Sequence, residues 1–249
     1  MLKNIGSIEN QGYELSIESD NLTGAFSWTT AFNIAFNRNK VLELGGEEYK
    51  EMAEGDGHLK TGSVRRLIVG EPIGVFYGYR FDGIFQNEEE CKQQTSSASP
   101  IGVGLRRYKD LNGDGKVDAA NDREILGDAN PKFFGGLTNT FAYKGFELNV
   151  FLQYSYGNKI LNYNAMELEN PTGGQNAYAD MVNRWTPENP SNIYPKATTN
   201  RALLVSDRFI EDGSYLKLKT LSLSYSFPKI NLKHIQGLRL YVTGQNLLT

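Results

Sequence analysis

Side chains that alternate between apolar and polar recur along this chain, and this pattern constrains its fold more than any other feature. In the segment AFSWTTAFNIAFN the large apolar residues are Phe26, Trp28, Phe32, Ile34 and Phe36, and small hydroxyl or amide side chains lie among them. A period of two residues is typical of a β-strand, because successive side chains of a strand point to opposite faces. The span of about 11 residues is also the length that a tilted strand needs to cross a lipid bilayer.

Other segments of the chain show the same alternation. Their apolar residues are, in chain order, Tyr13, Leu15 and Ile17; Phe146, Leu148, Val150, Leu152, Tyr154 and Tyr156; Leu221, Leu223, Tyr225 and Phe227; and Leu238, Leu240 and Val242. A weaker alternation over residues 133–143 precedes a tight turn at Lys144 and Gly145, a composition suited to a hairpin. The chain is therefore predicted to contain about six or seven antiparallel strands.

The connections between these strands alternate in length. Short turns are predicted at residues 19–24, at 144–145 and at 228–237, whereas residues 38–132 and 158–213 form long excursions. Outer-membrane barrels combine short periplasmic turns with longer extracellular loops, so the two long segments are expected on the outer side. Within them, VFYGYRF (residues 75–81) is predicted to be a local strand and residues 178–185 a short helix.

Composition excludes several classes of protein. The net charge of −3 and the lack of any run of five or more Lys or Arg residues give no electrostatic footprint for nucleic acid. A single cysteine cannot form an internal disulfide, and no stretch approaches the length of apolar sequence that a transmembrane helix requires. His58 and His234 are isolated from any nucleophile motif, so neither an enzyme nor an organic cofactor is expected.

The alternation by itself leaves two fold classes open. One is an all-β antiparallel transmembrane β-barrel segment with long extracellular loops, and the other is a soluble, extracellular, calcium-stabilised β-sandwich that binds glycans. The uncharged Phe and Trp face, opposite a Ser, Thr and Asn face too polar for a core, favours the barrel. Lipid-facing side chains are then expected at Phe26, Trp28, Phe32, Phe36, Leu148, Val150 and Leu221. If Phe26, Trp28 and Phe32 were instead buried under a second layer, the barrel interpretation would fail.

The stretch DLNGDGKVDAAND resembles a calcium-binding loop. Oxygen ligands spaced as in such loops are Asp110, Asn112, Asp114, the Lys116 carbonyl and Asp118. The position that should carry a bidentate Glu is Asn121, and the next carboxylate, Asp122, is displaced by one residue. The sequence thus predicts a calcium site completed by Asp122, and it leaves open the alternative that Asp, Asn and Gly simply form a tight, solvated turn.

A run of aromatic side chains in the first long excursion is the candidate substrate-binding site. Aromatic faces stack on the apolar faces of sugar rings, and this chemistry would suit a protein that captures glycans. Packing inside the excursion is the alternative role for the same residues. The members of this aromatic run are Phe76, Tyr77, Tyr79, Phe81 and Phe85.

Six phrases, in order, make the chain similar to one family. They are IENQGYEL, GEPIGVFYGYRFDGIFQ, DLNGDGKVDAANDREILGDANPKFFGGL, NRWTPENP, RFIEDGSYLKLKTLSLSY and LRLYVTGQNLLT. Together they resemble the C-terminal half of the barrel in TonB-dependent outer-membrane transporters of the SusC/RagA type. Against that plan, residues 1–249 are expected to be a C-terminal part of the barrel, without the plug domain, the TonB box or the final strands.

The resemblance implies a fold, a location and an activity. It implies a segment of a 22-stranded barrel closed by a plug, embedded in the lipid of the outer membrane of a Gram-negative bacterium. It also implies TonB-dependent uptake of oligosaccharides, or sometimes peptides, together with a SusD-like surface lipoprotein. The expected partners are therefore that lipoprotein, TonB and outer-membrane lipid, and nucleic acid is not among them.

Overall fold

A computed structural model describes residues 6–52, 63–170, 176–199, 203–227 and 237–249. Within these residues the strands are β1 Ser7–Leu22, β2 Phe26–Glu43, β3 Tyr49–Glu51, β4 Arg66–Ile68, β5 Val75–Tyr79, β6 Phe81–Ile84, β7 Thr95–Ser96, β8 Arg106–Tyr108, β9 Lys116–Val117, β10 Arg123–Asp128, β11 Phe133–Tyr143, β12 Phe146–Tyr156, β13 Lys159–Leu161, β14 Ile210–Asp212, β15 Tyr215–Phe227 and β16 Leu238–Leu248. The helices are α1 Glu88–Gln93 and α2 Tyr163–Leu168, with 3₁₀ turns at Ala179–Asn183 and Asp207–Phe209. Across the described part of the chain, no helix has the length and apolarity needed to cross a membrane.

Six long strands form one sheet in the order β1-β2-β11-β12-β15-β16. The pairs from β2 to β16 are all antiparallel. All of the strands predicted from the alternation lie in this sheet, so the predicted antiparallel fold is confirmed. The predicted short turn at 228–237 lies, except for its last residue, outside the described residues.

The hairpin between β11 and β12 shows how a local sequence sets the register. Lys144 and Gly145 both have positive φ angles, 47° and 86°, as the tight hairpin turns that match strand twist require. Tyr143 consequently pairs with Phe146, and the two strands remain in register without a bulge from there to Phe133 and Tyr156. A Cβ atom at Gly145 would lie 2.7 Å from the Ser226 carbonyl oxygen, so this position excludes other residues on two grounds.

The chain divides into two compact units. The sheet unit comprises Asn10–Arg38, Pro131–Asn158 and Gly213–Thr249. The loop unit comprises Met1–Glu9, Asn39–Asn130 and Lys159–Asp212. The two main segments of the loop unit match, to within two residues, the long excursions predicted from the sequence.

The loop unit is built from small ladders rather than from a large sheet. β5 pairs with β10, β3 with β4, β6 with β8 and β13 with β14, all antiparallel, and β7 pairs with β9 in parallel. The local strand predicted in VFYGYRF is β5. The predicted helix over 178–185 is only a 3₁₀ turn, because Tyr178 offers no capping side chain and the Trp185 N–H donates to the Tyr194 carbonyl at 3.0 Å.

The buried apolar side chains of the described residues all lie in the loop unit. One cluster consists of Val64, Ala165, Met166, Leu203, Val205 and Phe209. A second cluster joins Tyr79, Tyr108 and Val117. The loop unit therefore has its own hydrophobic core, although the sequence pattern alone predicted only long loops there.

Candidate functional site

The sheet unit has one predominantly apolar face. Directly paired residues of neighbouring antiparallel strands point to the same face, so the register can be followed across the sheet. One such row runs through Trp28, Phe141, Leu148, Leu223 and Val242 on five successive strands. All five side chains are apolar. The neighbouring row toward the short turns consists of aromatic and aliphatic side chains, Phe26, Tyr143, Phe146, Tyr225 and Leu240.

The opposite face of the same strands is polar. The adjacent row runs through Thr29, Thr140, Asn149, Ser222 and Thr243. The Asn149 amide donates to Thr140 Oγ1 at 3.0 Å, and the Ser222 and Thr243 hydroxyls lie 2.8 Å apart. This face is thus a hydrogen-bonded, hydrophilic surface that spans the sheet.

Charged side chains also lie on the polar face. Arg239 Nη2 donates to Glu147 Oε1 at 2.5 Å and to Ser224 Oγ at 2.7 Å. The guanidinium thereby connects β16 with β15 and β12 across the sheet. Both charged side chains are about half exposed, so this ion pair contributes little to the stability of the fold.

Exposure on the apolar face distinguishes the two fold classes left open by the sequence. Phe26, Phe146 and Val242 expose 44%, 52% and 77% of their surface. Trp28 and Phe32 are half-buried by rings of the same sheet, with centroid distances of 5.8 Å to Phe141 and 6.4 Å to Tyr154. No second layer of the sheet unit buries them within the described residues, so the β-sandwich alternative is not what this chain forms.

Aromatic residues collect at the two ends of the apolar face. One group comprises Phe26, Trp28, Phe141, Tyr143, Phe146, Tyr225 and Phe227, and the other comprises Phe36, Phe133, Tyr154 and Tyr156. Along β11, Phe133 and Tyr143 are separated by about 33 Å, or about 24 Å in projection if the strand is tilted by about 45°. An apolar band of about 25 Å between two aromatic girdles is characteristic of the outer face of membrane barrels.

Two paired polar side chains, Asn139 and Thr30, interrupt the apolar face and are hydrogen-bonded locally. Asn139 Oδ1 accepts hydrogen bonds from Trp28 Nε1 at 2.9 Å and from Thr30 Oγ1 at 2.8 Å. Thr30 Oγ1 in turn accepts a hydrogen bond from Asn21 Nδ2 at 2.7 Å. Hydrogen-bonded polar atoms of this kind cost far less in an apolar environment than unpaired ones would.

The aromatic run predicted to stack on sugars lies mostly in the interior of the loop unit. Phe76, Tyr79 and Phe85 are only 7%, 5% and 1% exposed. The guanidinium groups of Arg66 and Arg123 lie 3.9 Å and 4.9 Å from the centroid of the Tyr77 ring. The packing role, which the sequence left open, therefore describes these residues in this structure.

Phe81, the remaining member of the run, is also engaged within the loop unit. The Arg208 guanidinium lies 5.5 Å from the centroid of its ring. The Phe81 side chain is partly exposed and its backbone N–H donates to Asp207 Oδ1 at 2.8 Å. Sugar stacking by the aromatic run stays a prediction, and only Tyr77 and Phe81 retain exposed surface with which to perform it.

A stack of arginine and tyrosine side chains was not anticipated from the sequence. Arg66 lies 3.9 Å from the ring centroids of both Tyr49 and Tyr77, and Glu51 Oε1 accepts hydrogen bonds from Arg66 and Arg123. Although partial burial raises the pKa of the Glu51 carboxyl, the two guanidinium groups outweigh it and hold the pKa below its ordinary value. These contacts connect β3, β4, β5 and β10, which the sequence separates by up to 72 residues.

In the Asp110 loop the carboxylates accept hydrogen bonds from the backbone. Asp110 accepts from the N–H groups of Gly113 and Gly115, each at 2.7 Å. Asp122 is fully buried and accepts from the N–H groups of Leu111 at 2.8 Å and Asp118 at 2.7 Å. Asp122 thus joins the two ends of the loop.

The remaining predicted calcium ligands also have partners within the loop. Asp114 Oδ1 accepts from the Lys116 N–H, and Asn112 donates to Asp114 Oδ2. Lys116 Nζ lies 3.1 Å from Asp118 Oδ2, and with the N–H groups of Asn121 and Ala120 it holds the Asp118 pKa below its ordinary value. Among the described residues no cluster of three or more His, Cys, Asp or Glu side chains is arranged to hold a metal ion. Calcium binding therefore stays a prediction.

Comparison with known proteins gives one consistent family. No protein-family profile matches the chain. The chain is 39% identical to TonB-dependent receptor P3 of Formosa agariphila over all of its own length and 25% of that receptor, and 27% identical to TonB-dependent receptor SusC of Bacteroides thetaiotaomicron over 99% of its length and 23% of that protein. The RagAB peptide transporter structure matches it with a TM-score of 0.75 and 23% identity, over 99% of this chain and 26% of that chain.

The chain is homologous to TonB-dependent receptors, SusC among them, and its fold matches that of the RagAB transporter. It spans about a quarter of the length of the curated relatives that it matches. Its antiparallel sheet matches the barrel fold of TonB-dependent transporters, and the predicted fold class is confirmed. Because it is a segment, the sheet is not closed, and β1 and β16 form its two edges.

The family relationship accounts for features that a soluble fold would not explain. In a SusC/RagA-type barrel the two faces of each strand meet different environments, and both rows described above then have a role. His58 and His234 lie outside the described residues, so the structure adds nothing to their assignment. The residues missed by sequence reasoning are the Arg66 stack and the Asp122 contacts, whose partners only become neighbours through tertiary structure.

Proposed function

We propose that this chain contributes part of the barrel wall and the external loops of an importer that carries oligosaccharides across the outer membrane of a Gram-negative bacterium. The observation that carries the proposal is the sheet with one apolar and one polar face, in a chain of the SusC/RagA type. TonB would supply the energy and a SusD-like lipoprotein would be the surface partner, as proposed from the family relationship.

The wall role follows from the environment that each face requires. In hydrocarbon every backbone N–H and C=O must be paired, and the inner strands β2, β11, β12 and β15 each have a neighbour on both sides. The exposed apolar side chains would meet lipid between the two aromatic groups. The polar face, with its hydroxyl, carboxamide and charged groups, would line the aqueous path.

Oligosaccharides are the proposed substrate class because the polar face is rich in groups that bind hydroxyls. Thr29, Thr140, Asn149, Ser222 and Thr243 can each donate and accept hydrogen bonds, and so can every sugar hydroxyl. Peptides are the second candidate, favoured by the likeness to the RagAB structure, which is described as a peptide transporter. Both candidates use the same wall.

The wall is tested by single-cysteine labelling in the full-length receptor that carries this sequence. Cys91, the one cysteine of the chain, is replaced by serine, and nitroxide labels are then placed one at a time at residues 147–152 in membranes. Accessibility to oxygen should peak at Leu148, Val150 and Leu152, and accessibility to a water-soluble nickel reagent at the residues between them. Loss of this two-residue period would contradict a membrane wall.

Import is tested separately in cells. A strain lacking the receptor is complemented with the wild-type gene, and uptake of labelled neutral oligosaccharides and of labelled peptides is measured with and without TonB. TonB-dependent uptake of oligosaccharides supports the proposal. Uptake of peptides alone would favour the second candidate, and co-purification with a lipoprotein would test the partner.

A further inference from the structure

An exposed aromatic ring lies on the polar face of the sheet, at the end from which the long connections leave. Phe134 is the second residue of β11 and pairs with Ala35 and Ser155. Its side chain therefore points to the same face as those of Thr138 and Thr140. It exposes 44% of its surface. A large apolar ring on a hydrophilic surface loses free energy unless something covers it, so its position calls for an explanation.

Phe134 differs from the next aromatic side chain on this face. Phe151 packs onto the sheet over Gly136, where a Cβ atom would lie only 2.7 Å from its ring. Gly136 thus makes room for the Phe151 ring. Among the described residues of the sheet unit, no glycine makes room for the Phe134 ring in this way, and the ring borders an open cleft.

The cleft beside Phe134 has a floor of small residues and polar walls. It has a volume of about 320 Å³, at the lower end of the range of about 300–1,000 Å³ usual for small-molecule sites. Its lining includes Asn10, Gly12, Glu14, Ala35, Asn37 and Phe134. Gly12 cannot be enlarged, because a Cβ atom there would lie 2.6 Å from the Phe36 carbonyl oxygen.

Three polar side chains of this cleft have no side-chain partner among the described residues. Asn10, Glu14 and Asn37 make no side-chain hydrogen bond or ion pair with another described residue. Elsewhere on the polar face Asn149 and Glu147 are hydrogen-bonded to neighbouring strands. The cleft therefore combines a free ring face with free carboxamide and carboxylate groups.

We propose that this cleft is a subsite for one uncharged sugar ring of an oligosaccharide, with Phe134 as the stacking platform. The C–H groups on one face of a pyranose meet the negative face of the aromatic ring. Its hydroxyls meet Asn10 and Asn37, which both donate and accept, and Glu14, which accepts. The lining includes no cationic residue, and Glu14 repels an anionic sugar, so neutral rings are preferred.

This subsite rests on the proposed import of oligosaccharides, and its test separates the two. In the purified full-length receptor, binding of a neutral probe, maltohexaose or another neutral oligosaccharide that the cells import, is measured by calorimetry. Phe134→Ala should raise Kd about tenfold, whereas Phe134→Trp should keep it within about twofold of the wild-type value. Tyr241→Ala, which removes a ring that is 72% exposed on the same face outside the cleft, is the matched control and should leave Kd unchanged.

A second variant tests the predicted charge preference. Glu14→Gln should keep the affinity for the neutral probe within about threefold and should raise the affinity for an oligogalacturonate, because the repelling carboxylate is removed. Both Phe134 and Glu14 are exposed, so heat-modifiability in detergent serves as the folding control.

The outcomes distinguish the subsite from the importer. If wild-type cells import oligosaccharides and Phe134→Ala binds them as tightly as wild type, the subsite is overturned and the importer stands. If Tyr241→Ala weakens binding as much as Phe134→Ala, stacking in the cleft is also overturned. If wild-type cells import only peptides, the oligosaccharide proposal and the subsite both fail.

Discussion

The sheet unit and the loop unit use apolar side chains in opposite ways. In the loop unit Phe209 is 1% exposed and belongs to a buried cluster, whereas in the sheet unit Val242 is 77% exposed. Both units consist largely of β-strands, so secondary structure does not explain the difference. What differs is the environment for which each unit is built: the loop unit encloses its apolar groups, and the sheet unit presents them.

The difference shows that an apolar face of a β-sheet need not be buried against other residues of the same chain. A soluble protein must cover such a face with a second layer, whereas a barrel wall meets lipid instead. The two units should therefore respond oppositely to the same kind of substitution. The following predictions test that contrast, from the largest expected effect to the smallest.

The largest effect is expected in the core of the loop unit. Phe209→Ala should reduce the free energy of unfolding of this unit by about 3–5 kcal/mol, because it leaves a cavity among Met166, Leu203 and Val205. Urea denaturation followed by proteolysis in this unit is the measurement. Val182→Ala, at a site that is 76% exposed, is the control, and an equal loss in both variants would contradict an enclosed core.

Charge on the apolar face of the sheet unit should be nearly as costly. Leu221→Arg places a guanidinium near the middle of the proposed lipid-facing band and should cost about 2–4 kcal/mol in lipid vesicles. Thr220→Arg, one residue away on the polar face, should cost less than about 1 kcal/mol. Equal costs would remove the distinction between the faces.

The buried carboxylate of the Asp110 loop should have an intermediate effect. Asp122→Ala removes the acceptor for two backbone N–H groups and should cost the loop unit about 2–3 kcal/mol. Asp114→Ala, in the exposed part of the same loop, should cost less than about 1 kcal/mol. Thermal unfolding of both variants in calcium-free buffer makes the comparison.

Calcium should stabilise the loop unit modestly if the sequence prediction is right. Loops of extracellular proteins bind calcium with Kd values of about 10⁻⁴–10⁻³ M, so 10 mM calcium would add about 1.4 kcal/mol at a Kd of about 1 mM. Asp110→Asn should abolish the increase, and magnesium should not reproduce it. If calcium does not raise the free energy of unfolding of the wild-type protein, the loop is a hydrogen-bonded turn that binds no calcium.

The smallest effect is a pH dependence at Asp118. Its folded-state pKa is lowered by Lys116 and by backbone N–H groups, so ionisation favours the folded loop. The contribution is present above the unfolded-state pKa and is lost as pH falls through the lower, folded-state pKa, in the region below about pH 4. Asp118→Asn should flatten this dependence, as measured by the unfolding temperature between about pH 6 and pH 3. An unchanged slope would contradict the assignment.

Much of the sheet unit could be predicted because its signals are local. The alternation in AFSWTTAFNIAFN assigned both the strand and its two faces, and the positive φ angles of Lys144 and Gly145 fixed a register that extends to Phe133 and Tyr156. The aromatic run of the loop unit could not be assigned in this way. Whether Phe76 and Tyr79 are exposed or buried depends on residues far away in sequence, such as Ser206, which forms a bridge with Tyr79.

The sequence by itself determined the strands, their faces, the lengths of the connections and the family, because periodicity and short phrases are properties of neighbouring residues. Only the tertiary structure decided that the long excursions form a unit with its own core, that Asp122 joins the two ends of its loop, and that the Phe134 ring lies exposed on the polar face. The physical reason is that exposure is set by contacts between distant segments, which a local pattern does not record.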